Sequence, residues 1–148
     1  MVLFKKGSIR KGRWLKMFRR FLLYFFGVLL CAAATTNALG KWEKVYIPSV
    51  LWLSEVAFPT ANEGWAVGAN GVIVHYDGKN WSQVASPATS ALYGIEFITP
   101  NDGWAVGHAG GIVHCDGSRW TKVASPSGSK WYDVSFVKAN YGWAVAGV

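Results

Sequence analysis

Acidic residues are missing from the first 40 positions of the chain, and beyond them arginine is represented by Arg119 alone. The first absence concentrates positive charge, because Lys5, Lys6, Arg10, Lys11, Arg13, Lys16, Arg19 and Arg20 all precede the first acid, Glu43. The formal +7 therefore belongs to a leader, while the part after residue 40 is close to neutral. A nucleic-acid binder would want a basic face on its folded body, so that class loses its support. The second absence removes any site that clamps a carboxylate with several arginines. Cysteine is scarce too: with Cys31 in the leader and Cys115 in the body, no internal disulfide framework is available once the leader is gone. A Cys-x-x-Cys pair, a Ser-His-Asp order and a phosphate-cradling glycine loop are all lacking, and the glycines of Gly107 to Gly111 belong to a β-turn with no helix behind them.

What the leader does contain is ordered. Residues 1–20 form a basic region, and residues 21–40 carry no charge, running from Phe21 through Leu22-Leu23-Tyr24-Phe25-Phe26 to the small residues Ala32-Ala33-Ala34. This order reads as an export signal, with cleavage after Gly40 as first choice and after Ala38 as second. The same stretch as a hydrophobic helix is just long enough for an uncleaved membrane anchor. Both alternatives keep the lysines and arginines of the leader on the cytoplasmic side and export residues 41–148, to the periplasm, the exterior or the outer face of a membrane.

Residues 41–148 are a repeat. Gly64-Trp65-Ala66-Val67-Gly68 returns at Gly103 to Gly107 and, nearly intact, at Gly142-Trp143-Ala144-Val145, so that Trp65, Trp104 and Trp143 stand 39 residues apart. The register extends to Trp42, Trp81 and Trp120, to Val45, Val84 and Val123, to Phe58, Phe97 and Phe136, and to Asn62, Asn101 and Asn140. Counted from tryptophan to tryptophan the repeats are 42–81, 81–120 and an incomplete 120–148, about 2.7 periods. Within one period, residues 52–58 alternate as a strand, Trp65-Ala66-Val67 forms a second, and Asn70-Gly71 signals a hairpin into a third, Val72 to Tyr76. Asp77-Gly78 then turns the chain into a fourth strand from Trp81. Four short antiparallel strands per repeat predict an all-β, incomplete β-propeller array preceded by the hydrophobic leader. A sheet of this size cannot cover both its faces, so its neighbours must. Val67, Ile73, Val74, Val106, Ile112 and Val113 are the expected contacts between sheets, and Trp42 to Pro48 is a candidate strand for completing the last one.

Gly-Trp-Ala-Val-Gly followed by an aliphatic run into His-x-Asp-Gly-x-x-Trp resembles the repeats of the photosystem II stability/assembly factor family of propellers. It is also similar to the Asp-box of sialidase-type propellers, matched here by Asp77, Gly78 and Trp81 and by Asp116, Gly117 and Trp120, but without the residue that usually separates Asp from Gly. The resemblance covers residues 42–148 and implies a propeller whose turn aspartates and tryptophans stabilise each blade. It implies no activity, since fold does not fix function.

Candidate chemistry is thin. His75 and His114 recur in register beside the turn aspartates, which makes them structural rather than metal ligands; His108 breaks the repeat, replacing Ala69, and is the histidine of interest. Carboxylate pairs from Glu55, Glu63, Glu96, Asp102 and Asp133 sit mostly in repeated or turn positions, and sialidase-type catalysis lacks its arginines. No catalytic residue, metal site or cofactor is assigned. Among the nine tryptophans, Trp65, Trp104, Trp143, Trp81 and Trp120 are expected to pack, whereas Trp52 and Trp131 fall outside the register and are expected to be exposed. The reading is a non-enzymatic, exported protein-interaction or assembly module, with Trp52, Trp131 and His108 as its binding surface. The alternative is a lectin-like module binding glycans after oligomerisation. The unfinished third repeat leaves three readings: further C-terminal blades missing from a partial product, completion by copies of the chain in a ring, or a small open stack.

Overall fold

A computed structural model of the chain describes residues 2–6, 42–47 and 52–147. The hydrophobic helix expected over 21–40 lies outside the described residues, as does Pro48. Among the described residues no helix is long and apolar enough to cross a membrane. Val2–Lys6 (β1) and Trp42–Tyr46 (β2) pair as an antiparallel two-stranded sheet, from Val2 opposite Tyr46 to Lys6 opposite Trp42. They form a compact unit separate from the repeats. Trp42–Tyr46, the candidate strand for the third repeat, thus takes its partner from the start of the chain.

The repeats form three antiparallel sheets. The first has the order β3 (Leu53–Thr60), β4 (Glu63–Gly68), β5 (Ile73–Tyr76), β6 (Trp81–Val84). The second repeats it as β7 (Leu92–Thr99), β8 (Asp102–Gly107), β9 (Ile112–Cys115) and β10 (Trp120–Lys122). The third comprises β11 (Lys130–Lys138) and β12 (Tyr141–Gly147). The sheets therefore run from residue 53 to 84, 92 to 122 and 130 to 147, offset from the periods counted between tryptophans. The cause is the Asp-Gly turn, which closes a hairpin within a sheet and makes Trp81 and Trp120 open its last strand. First strands lie beside first strands, β3 along β7 and β7 along β11, so the sheets meet at these strands.

The repeated phrase forms the second strand, and its residues divide between the two faces of the sheet. Trp65 and Val67 join Ile73 on one face, where they pack on Leu92, Ile95, Ala105, Val113, Cys115 and Trp120 of the second sheet. Ala66 and Val74 are buried on the opposite face. Burial of each large aliphatic side chain stabilises by about 1.5–3 kcal/mol. The glycine before each tryptophan has a shared reason: a Cβ at Gly64, Gly103 or Gly142 would run into the ring of Phe58, Phe97 or Phe136 on the neighbouring strand. Hairpin geometry follows the Asn70-Gly71 signal, with both residues left-handed at φ 55° and 71°.

Candidate interaction surface

The seams between sheets are built alike. Trp65 is sandwiched between His75 of its own sheet, at 4.1 Å between ring centroids, and Phe97 of the next, at 5.5 Å. Trp104 repeats the arrangement with His114 at 4.4 Å and Phe136 at 5.7 Å. Both histidines are thus packing partners of a tryptophan. Asp102 Oδ1 holds the second set in place, lying 2.8 Å from His114 Nε2 and accepting the Trp104 indole N–H at 3.1 Å. In the first set the longer Glu63 side chain leaves its carboxylate 3.7 Å from His75 Nε2, and the Trp65 and Trp120 indole nitrogens lack hydrogen-bond partners among the described residues. Trp143 departs from the expectation of packing. It is 69% exposed, because the third sheet has no described neighbour on the face that Trp65 and Trp104 cover in theirs.

The Asp-Gly turns are capped by their own aspartates. Asp77 Oδ1 accepts the N–H groups of Lys79 and Asn80 at 2.8 and 2.7 Å, and Asp116 Oδ1 those of Ser118 and Arg119 at 2.9 and 3.0 Å. These backbone donors hold both carboxyls below the usual aspartate range. Gly78 and Gly117 take the left-handed conformation that the turn requires, at φ 91° and 87°. Trp120, which follows the second turn, is buried against Trp65 and Phe97, and Trp81, which follows the first, is half-buried. Cys115 is buried in β9, and burial pushes its thiol up.

One rim of the array gathers the residues outside the repeat. The Trp52 carbonyl accepts the Ala69 N–H at 3.0 Å, the Ala91 carbonyl the His108 N–H at 2.8 Å, and the Ser129 carbonyl the Gly110 N–H at 2.9 Å. The starts of the first strands and the turns at Ala69–Gly71 and His108–Gly110 therefore share an edge, which carries Trp52, His108 and Trp131. Trp52 is 71% exposed. His108 is exposed beside a shallow cavity of ≈ 170 Å³ lined also by Pro87, Ala88, Thr89, Ser90 and Lys122. Trp131 differs from the expectation: it is half-buried, its indole N–H donated to Ser125 Oγ at 3.1 Å.

Beside this rim lies a cluster that the repeat alignment overlooked. Tyr93 and Tyr132 face each other across the second seam at 6.2 Å, and Lys130 Nζ stands 4.7 Å from one ring centre and 5.0 Å from the other. A cation over two tyrosines is a favourable placement, and Tyr132 remains half exposed. The signal was present in the sequence, since the two tyrosines are 39 residues apart.

No family model matches the chain, and no curated protein matches it. Solved structures do. YCF48 bound to D1 peptide is similar at TM-score 0.60 and 19% identity, over 70% of this chain and 36% of that one. YCF48 from Cyanidioschyzon merolae is similar at TM-score 0.61 and 17% identity, over 72% of this chain and 38% of that one. The repeats are a stretch of β-propeller. They span a little over a third of the length of these propeller neighbours, in agreement with the propeller architecture read from the 39-residue period.

Proposed function

We propose that the chain is a non-enzymatic protein-interaction module of the β-propeller type, binding an extended segment of a partner protein across Tyr93, Tyr132 and Lys130. The observation that carries this reading is the cluster itself: two aromatic rings and a cation bridge adjacent sheets at the edge of the rim, with Tyr132 half exposed. Paired tyrosines offer large, rigid contact area at small entropic cost, which suits a peptide. Support also comes from the similar YCF48 structure, which holds D1 peptide. Working in assembly on the exported side of a membrane is part of the same proposal and rests on the basic-then-apolar leader.

The first test titrates labelled D1 peptide, then a panel of acidic and apolar peptides, with the full chain in detergent micelles. Binding that Tyr132→Ala and Lys130→Ala each weaken about tenfold is the expected result. The lectin reading keeps one supporting observation, the exposed indole of Trp52, whereas Trp131 is tied to Ser125. Glycan-array binding lost on Trp52→Ala, with no peptide bound, would overturn the proposal. Retention of the repeats by spheroplasts, in a form protected from added protease until the inner membrane is broken, would contradict export.

A further inference from the structure

Each seam has a donor and an acceptor. The donor is the tryptophan of the second strand; the acceptor is the phenylalanine of the next sheet's first strand, backed edge-on at the first seam by the tryptophan of the fourth strand. Trp65 meets Phe97 at 5.5 Å and Trp120 at 5.6 Å, and Phe97 and Trp120 are 6.0 Å apart. Trp104 meets Phe136 at 5.7 Å, in a third sheet that has no fourth strand among the described residues. One donor and one acceptor are left over at opposite ends of the array. Trp143 is exposed, with Val145 58% exposed on the same face of β12. At the other end Phe58 packs edge-on against Trp81 at 5.9 Å, the arrangement of Phe97 and Trp120, yet Phe58 is 53% exposed.

From this complementarity we infer that the chain binds a second copy of itself head to tail, the Trp143 face of one copy seated on the Phe58–Trp81 face of the other. A polar latch has the same logic. Glu55 stands opposite Val67 in the first sheet and accepts the N–H of Ile95 from the second, at 2.7 Å. Asp133 stands opposite Val145 in the third sheet, the corresponding place. The amide that corresponds to Ile95 is that of Val56, 39 residues earlier, and Asp133, whose Oδ1 accepts the Val134 N–H at 2.8 Å, has its other carboxylate oxygen for the Val56 N–H of a second copy. Val56 is itself exposed beside Phe58 on β3.

The number of copies is set by closure. A two-fold ring fills both leftover donors and both leftover acceptors, whereas an open chain of copies leaves one of each bare.

Sedimentation of the full chain in detergent micelles tests this, with protein mass counted apart from detergent. The expected particle holds twice the 16.2 kDa of one copy. Trp143→Ser and Phe58→Ser should each raise the dimer dissociation constant at least about tenfold while leaving the far-ultraviolet circular dichroism unchanged. Mixing the two variants restores a dimer, because the tail of the Phe58→Ser copy and the head of the Trp143→Ser copy are both intact. A second pair, Trp143→Cys and Phe58→Cys with Cys31→Ser in each, should form a disulfide between copies when mixed with oxidised glutathione, which is reduced as the bond forms. A chain that is monomeric at every concentration overturns the inference, its Trp143 face then being left to other chains. A dimer that survives Trp143→Ser and Phe58→Ser overturns it as well, since the copies then join elsewhere, for example through the leader.

Discussion

The Glu55 carboxylate accepts the main-chain N–H of Ile95 at 2.7 Å, across the seam between the first and second sheets. Glu96 does the same for Phe136 at 2.6 Å across the second seam. Each latch ties a side chain of one sheet to the first strand of the next, so it adds direction to a contact that is otherwise apolar. Burial raises the Glu55 carboxyl above its ordinary 4.5, and the Ile95 N–H opposes that rise only in part.

Replacing Glu55 separates these effects. Glu55→Ala removes the acceptor, leaves the Ile95 amide without it and lowers unfolding free energy by about 1–3 kcal/mol in urea titrations. Glu55→Gln keeps an acceptor and removes the charge. Because the folded carboxyl titrates above the unfolded one, the native state holds the extra proton, and the Glu55 contribution to stability falls as pH rises from 4.5 through the folded value. The Gln variant should lack this component, which urea titrations across that interval will read.

The two turn aspartates titrate in the opposite sense. Their folded carboxyls lie below the ordinary 3.8, so their contribution is present above that value and is lost as pH falls from 3.8 through the folded one. Asp77→Asn together with Asp116→Asn keeps side-chain acceptors and removes the titration. Acid unfolding followed by tryptophan fluorescence should be less steep in the double variant.

Ala109 occupies the left-handed conformation at φ 54°, where its repeat equivalent is Asn70 at φ 55°. A Cβ is strained there, and asparagine tolerates the region better. Copying the first repeat into the second, Ala109→Asn, should stabilise the chain by about 0.5–1 kcal/mol in thermal or urea melts.

Gly103 lies under the Phe97 ring, and that ring stacks on Trp65. Gly103→Ala must push the ring away from its place in the seam, at a cost of about 1–3 kcal/mol. Near-ultraviolet circular dichroism should lose intensity as the Trp65–Phe97 stack is disturbed.

Strand positions were legible because a 39-residue period supplies the same evidence more than once. The run 52–58 became Leu53–Thr60, and the Asn-Gly and Asp-Gly turns fell at the hairpins. Pairing of strands into sheets was less legible, since a tryptophan that opens the last strand of one sheet marks a period as well as one that opens a new sheet would. The latches were hidden for a different reason. Glu55 aligns with Gly94 and Asp133, and Glu96 with Ala57 and Ser135, so the two do not share a repeat position. Gly94 is small because Asp133 of β11 lies where its Cβ would be. Such approaches between sheets belong to packing, and no local pattern announces them. The exposure of Trp143 was not legible either, because register identifies what a side chain is built to meet, while its burial depends on what stands opposite.

The central claim is that the repeated tryptophan of one sheet stacks on the repeated phenylalanine of the next. A nuclear Overhauser spectrum of the full chain in detergent micelles, with aromatic side chains assigned, tests it most directly. Cross-peaks between the Trp65 indole and the Phe97 ring, and between Trp104 and Phe136, are the result this account predicts from centroid separations of 5.5 and 5.7 Å. Intact strand cross-peaks within each sheet, without either aromatic pair, would contradict it.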